Sequence, residues 1–450
     1  MARMFGTDGV RGEVNAGLTP ELAYALGRAG AYVLTKTNHR TPQIMIGSDT
    51  RISKDILQAA LTAGLCSMGA RVYPAGVMPT PGVAYLVRKY KLDAGVIISA
   101  SHNPFHDNGI KFFNKEGYKL PDIIEDEIEY LINNALDTLP RPTGSDIGFV
   151  EPCGNALSDY IEFLKSTVPG LDLSGLRLSL DCANGAAYKA GPMLFTSLGA
   201  EVLPIHNTPN GYNINEKCGS THMESLKGHV TANKSDVGFA LDGDGDRLQC
   251  VDNNGSILDG DQILSICGCF RKQNGELVNN TIVTTVMSNL GFQLMAKDKG
   301  INIEQTNVGD RYVLERMLLV NATLGGEQSG HVIFLEHNTT GDGLITALQL
   351  LRIMRTDNAL LSDLSKVMKV MPQVMYNAIV DNGKKSEYLY RPVIKAEIDA
   401  LEAKYKDQGR VLIRASGTEP KIRVMIEGAD EEMIREDAER VGKLIEMILG

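Results

Sequence analysis

No stretch of this 450-residue chain approaches the roughly 18 consecutive apolar residues that a membrane-spanning helix needs, so a membrane role is not expected. The opening Met1-Ala2-Arg3-Met4-Phe5-Gly6 lacks the apolar core of a signal peptide, and a cytoplasmic protein is the expectation. The seven cysteines, at 66, 153, 182, 218, 250, 267 and 269, are odd in number and include no CxxC. That leaves little basis for a disulfide framework or a zinc site and suits a reducing compartment. Cys267 and Cys269 lie in an apolar run and read as core. An excess of basic residues is also missing. The net charge of −10 argues against a nucleic-acid partner. An anionic substrate would therefore need arginines and lysines gathered in particular loops. There is no G-K-[ST] of a Walker A loop and no G-x-S-x-G nucleophile elbow.

What is present is an ordinary globular composition, 43% hydrophobic and 22% charged, of a length that suits several domains. Three segments repeat one plan of strand, helix, glycine stop and strand. The first has Ile44-Met45-Ile46, a helix from Lys54, then Gly69-Ala70-Arg71-Val72. The second has Leu178-Ser179-Leu180, a helix after Gly185, then Gly199-Ala200-Glu201-Val202. The third has Ile282-Val283-Thr284, a helix after Leu290, then Gly300-Ile301-Asn302-Ile303. Further on, Asp93-Ala94-Gly95-Val96-Ile97-Ile98 matches Asp236-Val237-Gly238-Phe239-Ala240-Leu241 in type. Each such run is an apolar strand that ends in a special loop, where ligands of α/β sheets collect.

The reading is an α/β protein of three similar domains with mixed sheets, followed by a smaller C-terminal α+β domain. The expected boundaries are 1–150, 151–254, 255–371 and 372–450. The turn Asp252-Asn253-Asn254-Gly255 separates the second repeat from the third. The last helix, capped by Asp430, shows Ile434, Ala438, Val441, Leu444, Ile445 and Ile448 on one face.

Five loops carry the chemistry. In Asp242-Gly243-Asp244-Gly245-Asp246-Arg247, three carboxylates alternate with glycines, an arrangement that repels itself unless a cation sits within it. Hard oxygen ligands suit Mg²⁺ or Ca²⁺. An EF-hand is disfavoured, because Arg247 and Asn253 stand where it needs Gly and Glu. Three ligands leave a magnesium ion open to a phosphate oxygen, which a phosphorylated Ser101 could supply. Ser101 lies in Ala100-Ser101-His102-Asn103-Pro104, where His102 and Asn103 can hydrogen-bond phosphate. A seryl phosphate would split one phosphoryl transfer into two easier steps. Lys111, on an alternating strand, either faces solvent or steadies that phosphate.

In Gly325-Gly326-Glu327-Gln328-Ser329-Gly330-His331, Glu327 and Ser329 suit neighbouring sugar hydroxyls, and His331 suits acid–base work. Arg414-Ala415-Ser416-Gly417-Thr418-Glu419-Pro420-Lys421-Ile422-Arg423 is the strongest anion site, with two guanidinium forks and a glycine turn. Phe5-Gly6-Thr7-Asp8-Gly9-Val10-Arg11-Gly12 adds Arg11, and Gly309-Asp310-Arg311 is a weaker candidate for substrate contact.

Taken together and in this order, the five loops resemble those of the α-D-phosphohexomutase superfamily over essentially the whole chain. Gln328 and Gly417-Thr418 look like its glucosamine branch. The resemblance implies four domains around a central cleft. It implies Ser101 as a phosphoserine whose phosphate, with Asp242, Asp244 and Asp246, binds one Mg²⁺ per chain. Glu327 and Ser329 would read sugar hydroxyls. Arg414, Ser416, Gly417, Thr418 and Arg423 would hold the non-reacting phosphate. Arg247, Asp310 and Arg311 would contact substrate. The implied reaction is an isomerisation of glucosamine 6-phosphate to glucosamine 1-phosphate through a hexosamine 1,6-bisphosphate, towards UDP-N-acetylglucosamine and cell-wall precursors. General acid and base stay open among Lys111, His331 and Arg11. Phosphomannomutase or phosphoglucomutase activity is the nearest alternative, and a metal-dependent sugar phosphatase a more distant one. The sequence leaves a homodimer open.

Overall fold

The computed structural model describes residues 3–6, 8–36, 41–406, 408–416 and 419–450. The described chain forms two compact units, Met1–Met287 with Ile301–Val367, and Ser288–Gly300 with Met368–Gly450.

The first unit contains three sheets. Sheet one comprises β1 (Val10–Glu13), β2 (Gln43–Ser48), β3 (Arg71–Val77), β4 (Ala94–Ile98) and β5 (Asp107–Asn114) in the order β1-β5-β4-β2-β3. Sheet two comprises β6 (Arg177–Asp181), β7 (Glu201–Ile205), β8 (Val237–Leu241), β9 (Leu248–Asp252) and β10 (Ile257–Leu258) in the order β10-β9-β8-β6-β7. Sheet three comprises β11 (Thr281–Thr285), β12 (Asn302–Thr306), β13 (Leu324–Gly326) and β14 (Val332–Phe334) in the order β12-β11-β13-β14.

Each sheet repeats one core. Three strands run parallel, and the third is followed by an antiparallel strand that pairs with it: β4 with β5, β8 with β9, β13 with β14. The inner parallel strands β4, β8 and β11 are buried along their whole length, as expected where helices cover both faces. The repeat read from the sequence is thus a repeat of topology. It places the Ser101, Asp242–Arg247 and Glu327–His331 loops at the same turn in three sheets.

The Asp252–Gly255 turn is a hairpin inside sheet two, because β10 pairs back onto β9. The Asp252 carboxylate accepts from the backbone N–H groups of Asn254 and Ser256 at 2.9 and 2.8 Å, which closes the turn. The second sheet therefore runs to Leu258.

Helix Pro20–Thr35 begins where Thr19 accepts from the Leu22 amide, with Pro20 supplying a helix-ready φ. It packs on helix Lys54–Cys66 over a core that includes Leu26, Leu57, Leu61, Ile44 and Ile128. Arg28, buried on that helix, donates to the carbonyls of Leu136 and Leu139 and anchors the segment expected to cross between domains. No described helix is long and apolar enough to cross a membrane.

In the second unit, β15 (Gln373–Ile379), β16 (Gly409–Ala415) and β17 (Lys421–Gly428) form an antiparallel sheet in the order β15-β17-β16. Helix Glu431–Leu449 buries Ile434, Ala438, Val441 and Ile445 against it, and Asp430 caps that helix through the Met433 amide. Helix Leu290–Lys299, which sequence order assigns to the third domain, is anchored here. Glu427 accepts from the Leu290 amide and from the Asn289 side chain.

Candidate active site

Ser101 lies in the β4–β5 turn with φ 52°, a left-handed conformation uncommon for a residue other than Gly, Asn or Asp. It is 3% exposed, and its Oγ donates to Asp242 Oδ2 at 2.6 Å. The turns of sheets one and two therefore meet. Gly243 is required at that meeting, since a Cβ there would stand 2.4 Å from the Ser101 carbonyl oxygen. His102 Nδ1 is 3.3 Å from Ser101 Oγ. Burial, with Arg247 and Arg11 nearby, lowers the His102 imidazole to about 4, so it is neutral at pH 7.

Asp242, Asp244 and Asp246 are all buried, and their carboxylate oxygens converge within 4.8 Å. Burial and the two neighbouring carboxylates push Asp242 well up, and burial with Asp244 raises Asp246. Burial also acts against charge on Asp244, but Lys111 outweighs it and holds that group down. Among the described residues, Asp244 Oδ1 and Asp246 Oδ1 have no hydrogen-bond partner. Crowded buried carboxylates with free oxygens fit a hard cation, so the residues present suit the metal role expected of them.

Lys111 is not at the surface. It is 1% exposed and donates to Asp244 Oδ2 at 2.9 Å, and it pairs with Asp8 Oδ2 at 2.8 Å. Burial opposes its charge, but Asp244 and Asp8 outweigh burial and raise the ammonium above its usual range. Asp8 also pairs with Arg11 and, at 2.6 Å, with Lys119. Lys119 bridges on to Asp310. Asp8, Lys119 and Thr80, which donates to Asp244 Oδ2 at 2.8 Å, were not singled out by the sequence reading. Their partners are distant in sequence, and although Asp8 lies in the Phe5–Gly12 motif, nothing local marks its role or that of Lys119 and Thr80.

A cavity of about 380 Å³ opens here, lined by residues from all three sheets' domains. Its wall includes Arg11, Ser101, His102, Arg247, Asp310 and His331. Glu327, Gln328 and Ser329 complete one side. Glu327 Oε1 accepts from the Gly309 amide at 3.0 Å, while Ser329 Oγ has no partner among the described residues. His331 is 3% exposed, and neither ring nitrogen has a hydrogen bond among the described residues. Its Nε2 is 3.7 Å from Asp310 and 3.9 Å from Asp246. Arg247 and His331 face each other through an antiparallel bridge that ties loop two to loop three.

One expected substrate contact turns elsewhere. Arg311, expected to touch substrate, turns to Asp122, to Glu125 at 3.0 Å and to the Leu120 carbonyl at 2.9 Å. It joins helix Asp310–Val320 to helix Asp122–Asn134. The Gln328 amide donates to Asp259 Oδ2 at 3.1 Å, at the start of helix Gly260–Gln273, so its side chain is committed to a cap.

In the second unit, Arg414 on β16 stands directly opposite Arg423 on β17. Burial and Arg423 together lower the Arg414 guanidinium. Like charges facing across strands are destabilising unless an anion lies between them. Ser416 Oγ accepts from the Glu419 amide at 3.2 Å, and Lys385 donates to the Ser416 and Glu419 carbonyls. Arg423 is partly balanced by Glu419 at 3.1 Å. Gly417 and Thr418 lie outside the described residues.

Serine, carboxylates, cations and hydroxyl-binding groups on three repeated α/β domains define a phosphoryl-transfer site of the hexose-phosphate mutase class. The chain belongs to the phosphoglucomutase/phosphomannomutase family: alpha/beta/alpha domains I, II and III match at residues 2–138, 158–255 and 259–372, and the C-terminal domain at 375–444. More particularly, it is 57% identical over 446 residues to the phosphoglucosamine mutase of Ruminiclostridium cellulolyticum, covering 99% of each chain. It is 55% identical over 450 residues to that of Acetivibrio thermocellus, covering 100% of both. Among solved structures, a phosphoglucomutase/phosphomannomutase family protein from Burkholderia thailandensis superposes with TM-score 0.82 at 23% identity, over 100% of this chain and 98% of that one. An Aspergillus fumigatus N-acetylphosphoglucosamine mutase does so with TM-score 0.70 at 18% identity, over 99% and 96%.

Proposed function

We propose that this enzyme interconverts glucosamine 6-phosphate and glucosamine 1-phosphate through a phosphoserine at Ser101. The observation that carries the mechanism is the Ser101 hydroxyl held 2.6 Å from a buried triple-aspartate cluster. The choice of sugar is supported by the full-length identity to phosphoglucosamine mutases.

In the forward direction, a sugar hydroxyl attacks the phosphorus on Ser101. The bond from phosphorus to the serine oxygen breaks, and a 1,6-bisphosphate forms. After the sugar turns over, Ser101 attacks its other phosphate and recovers a phosphoryl group, so no net phosphate is consumed. Asp242, Asp244, Asp246 and a phosphoserine oxygen would hold Mg²⁺, which when bound neutralises charge on the phosphoryl oxygens. Glu327 and Ser329 orient the ring. Arg247 faces the substrate's anionic end. His331 takes and returns the proton, because its ring nitrogens are unoccupied, whereas Lys111 and Arg11 are each bound to carboxylates. Arg414, Ser416 and Arg423 serve as the anion-binding group for the phosphate that is not reacting.

A substrate panel tests the reading. With Mg²⁺ and a trace of bisphosphate, kcat/KM is expected to be highest for glucosamine 6-phosphate among glucosamine, glucose and mannose phosphates. A preference for mannose 1-phosphate, or release of inorganic phosphate as the main product, would contradict it.

A further inference from the structure

Behind the Ser101 loop lies a buried cation that the reaction above does not use. Arg51 is fully buried. Its guanidinium donates to the carbonyls of Ser101 at 3.0 Å, Asn103 at 2.8 Å and Pro104. Asn215, from the sheet-two side, donates to two of the same carbonyls, Ser101 at 2.8 Å and Asn103 at 3.0 Å. The opposite edge of the loop is tied as well. The Ser101 amide donates to Ser99 Oγ at 3.0 Å, and that hydroxyl donates to Asp49. Asp49 closes the ring by accepting from Arg51 Nε and from the Arg51 amide, both at 2.9 Å. Asn215 is itself fixed, since its amide donates to the Ala183 carbonyl at 2.9 Å. Asp181 accepts from the Ala183 and Gly219 amides around it.

We infer that Arg51 and Asn215 are positioning residues that hold Ser101 in its left-handed conformation through both halves of the phosphoryl cycle. The inference rests on the mutase reading and specifies how its serine is kept in place. A left-handed serine persists only where its surroundings over-determine it. A phosphate adds about two negative charges beside three aspartates, so whenever no cation lies between them repulsion favours retreat of the loop. The Arg51 fork opposes retreat by gripping three carbonyls from behind, with its charge neutralised locally by Asp49. The hydroxyl therefore occupies one position whether it is giving up or recovering phosphate, as a reversible in-line transfer requires.

The test uses the full-length enzyme and two variants, Arg51→Lys and Asn215→Ala. Lysine keeps the charge but cannot reproduce the fork, so kcat is expected to fall about a hundredfold. Asn215→Ala removes two hydrogen bonds from carbonyls that Arg51 still holds, and about a tenfold loss is expected. KM for glucosamine 6-phosphate should stay within about twofold in both, because neither side chain lines the cavity. Near-wild-type kcat in Arg51→Lys, or a rate loss that only tracks the folded fraction, overturns the inference. If Arg51→Lys does not fold, a soluble Asn215→Ala enzyme with unchanged kcat overturns it equally. A wild-type chain that interconverts no hexose phosphate contradicts the mutase reading itself, and the clamp with it.

Discussion

Asp8 balances three cations at once, Arg11, Lys111 and Lys119. Burial works against its charge, but Lys111, Lys119 and Arg11 together hold its carboxyl well below the usual range. Through Lys111 it reaches the metal-loop Asp244, and through Lys119 the cavity residue Asp310. Replacing it by a neutral isostere leaves two buried ammonium groups short of charge. Asp8→Asn is therefore expected to lower stability by about 3 kcal/mol, measured by urea unfolding, and to cut kcat/KM at least tenfold. Unchanged stability would show that the network is not a unit. The sequence exposed Ser101 and the aspartates because they stand in short local motifs. It hid this network because Lys111 and Asp244 are 133 residues apart, and Lys119 and Asp310 are 191 apart. Lys111 was left between solvent and site for the same reason: strand alternation shows which face a side chain takes, not what covers that face.

The working element is the turn from the third parallel strand to its antiparallel neighbour, used once in each sheet. That much was legible, since an apolar run ending in an unusual loop marks the carboxyl end of a buried strand. That the Asp252–Gly255 turn closes a hairpin was not legible, because β10 is only two residues long and shows no alternation. Arg311 was placed at the substrate because a loop motif does not reveal that a neighbouring helix can claim its side chains. A further element-scale feature is the start of helix Gly343–Thr356, where Asp342 accepts from the Leu344 and Ile345 amides at 3.0 and 3.1 Å. Tyr160 donates to its other oxygen at 2.8 Å. Burial nevertheless raises Asp342 to about 6, whereas an unfolded Asp titrates near about 3.9. The folded protein thus binds this proton more tightly than the unfolded chain. The resulting stabilisation is complete below about pH 4 and is lost as pH rises through about 6. Asp342→Asn keeps a capping oxygen without the titration. Between pH 4 and 7 its stability should improve relative to the parent by on the order of 2 kcal/mol, read from unfolding midpoints. Parallel pH profiles would contradict this.

At the scale of the molecule, an acidic chain of net charge −10 sets several of its cations in the two places proposed to bind phosphate. Arg11, Lys119 and Arg247 line the cavity of the first unit, and Arg414 faces Arg423 in the second. The four-part organisation and the order of the loops could be read from the chain because each domain repeats its own pattern. The placement of helix Leu290–Lys299 in the C-terminal unit could not, since it depends on Met371 and Glu427 bonding to a helix start 82 and 137 residues earlier. The central claim is that the Ser101 hydroxyl beside the aspartates carries the phosphate that is transferred. The most direct measurement is the intact mass of the purified enzyme with peptide mapping, before and after excess glucosamine 6-phosphate. A fraction about 80 Da heavier, mapped to Ser101 and discharged by the sugar as a bisphosphate, is the expected result. A phosphate absent from Ser101, or full turnover by Ser101→Ala, would contradict it.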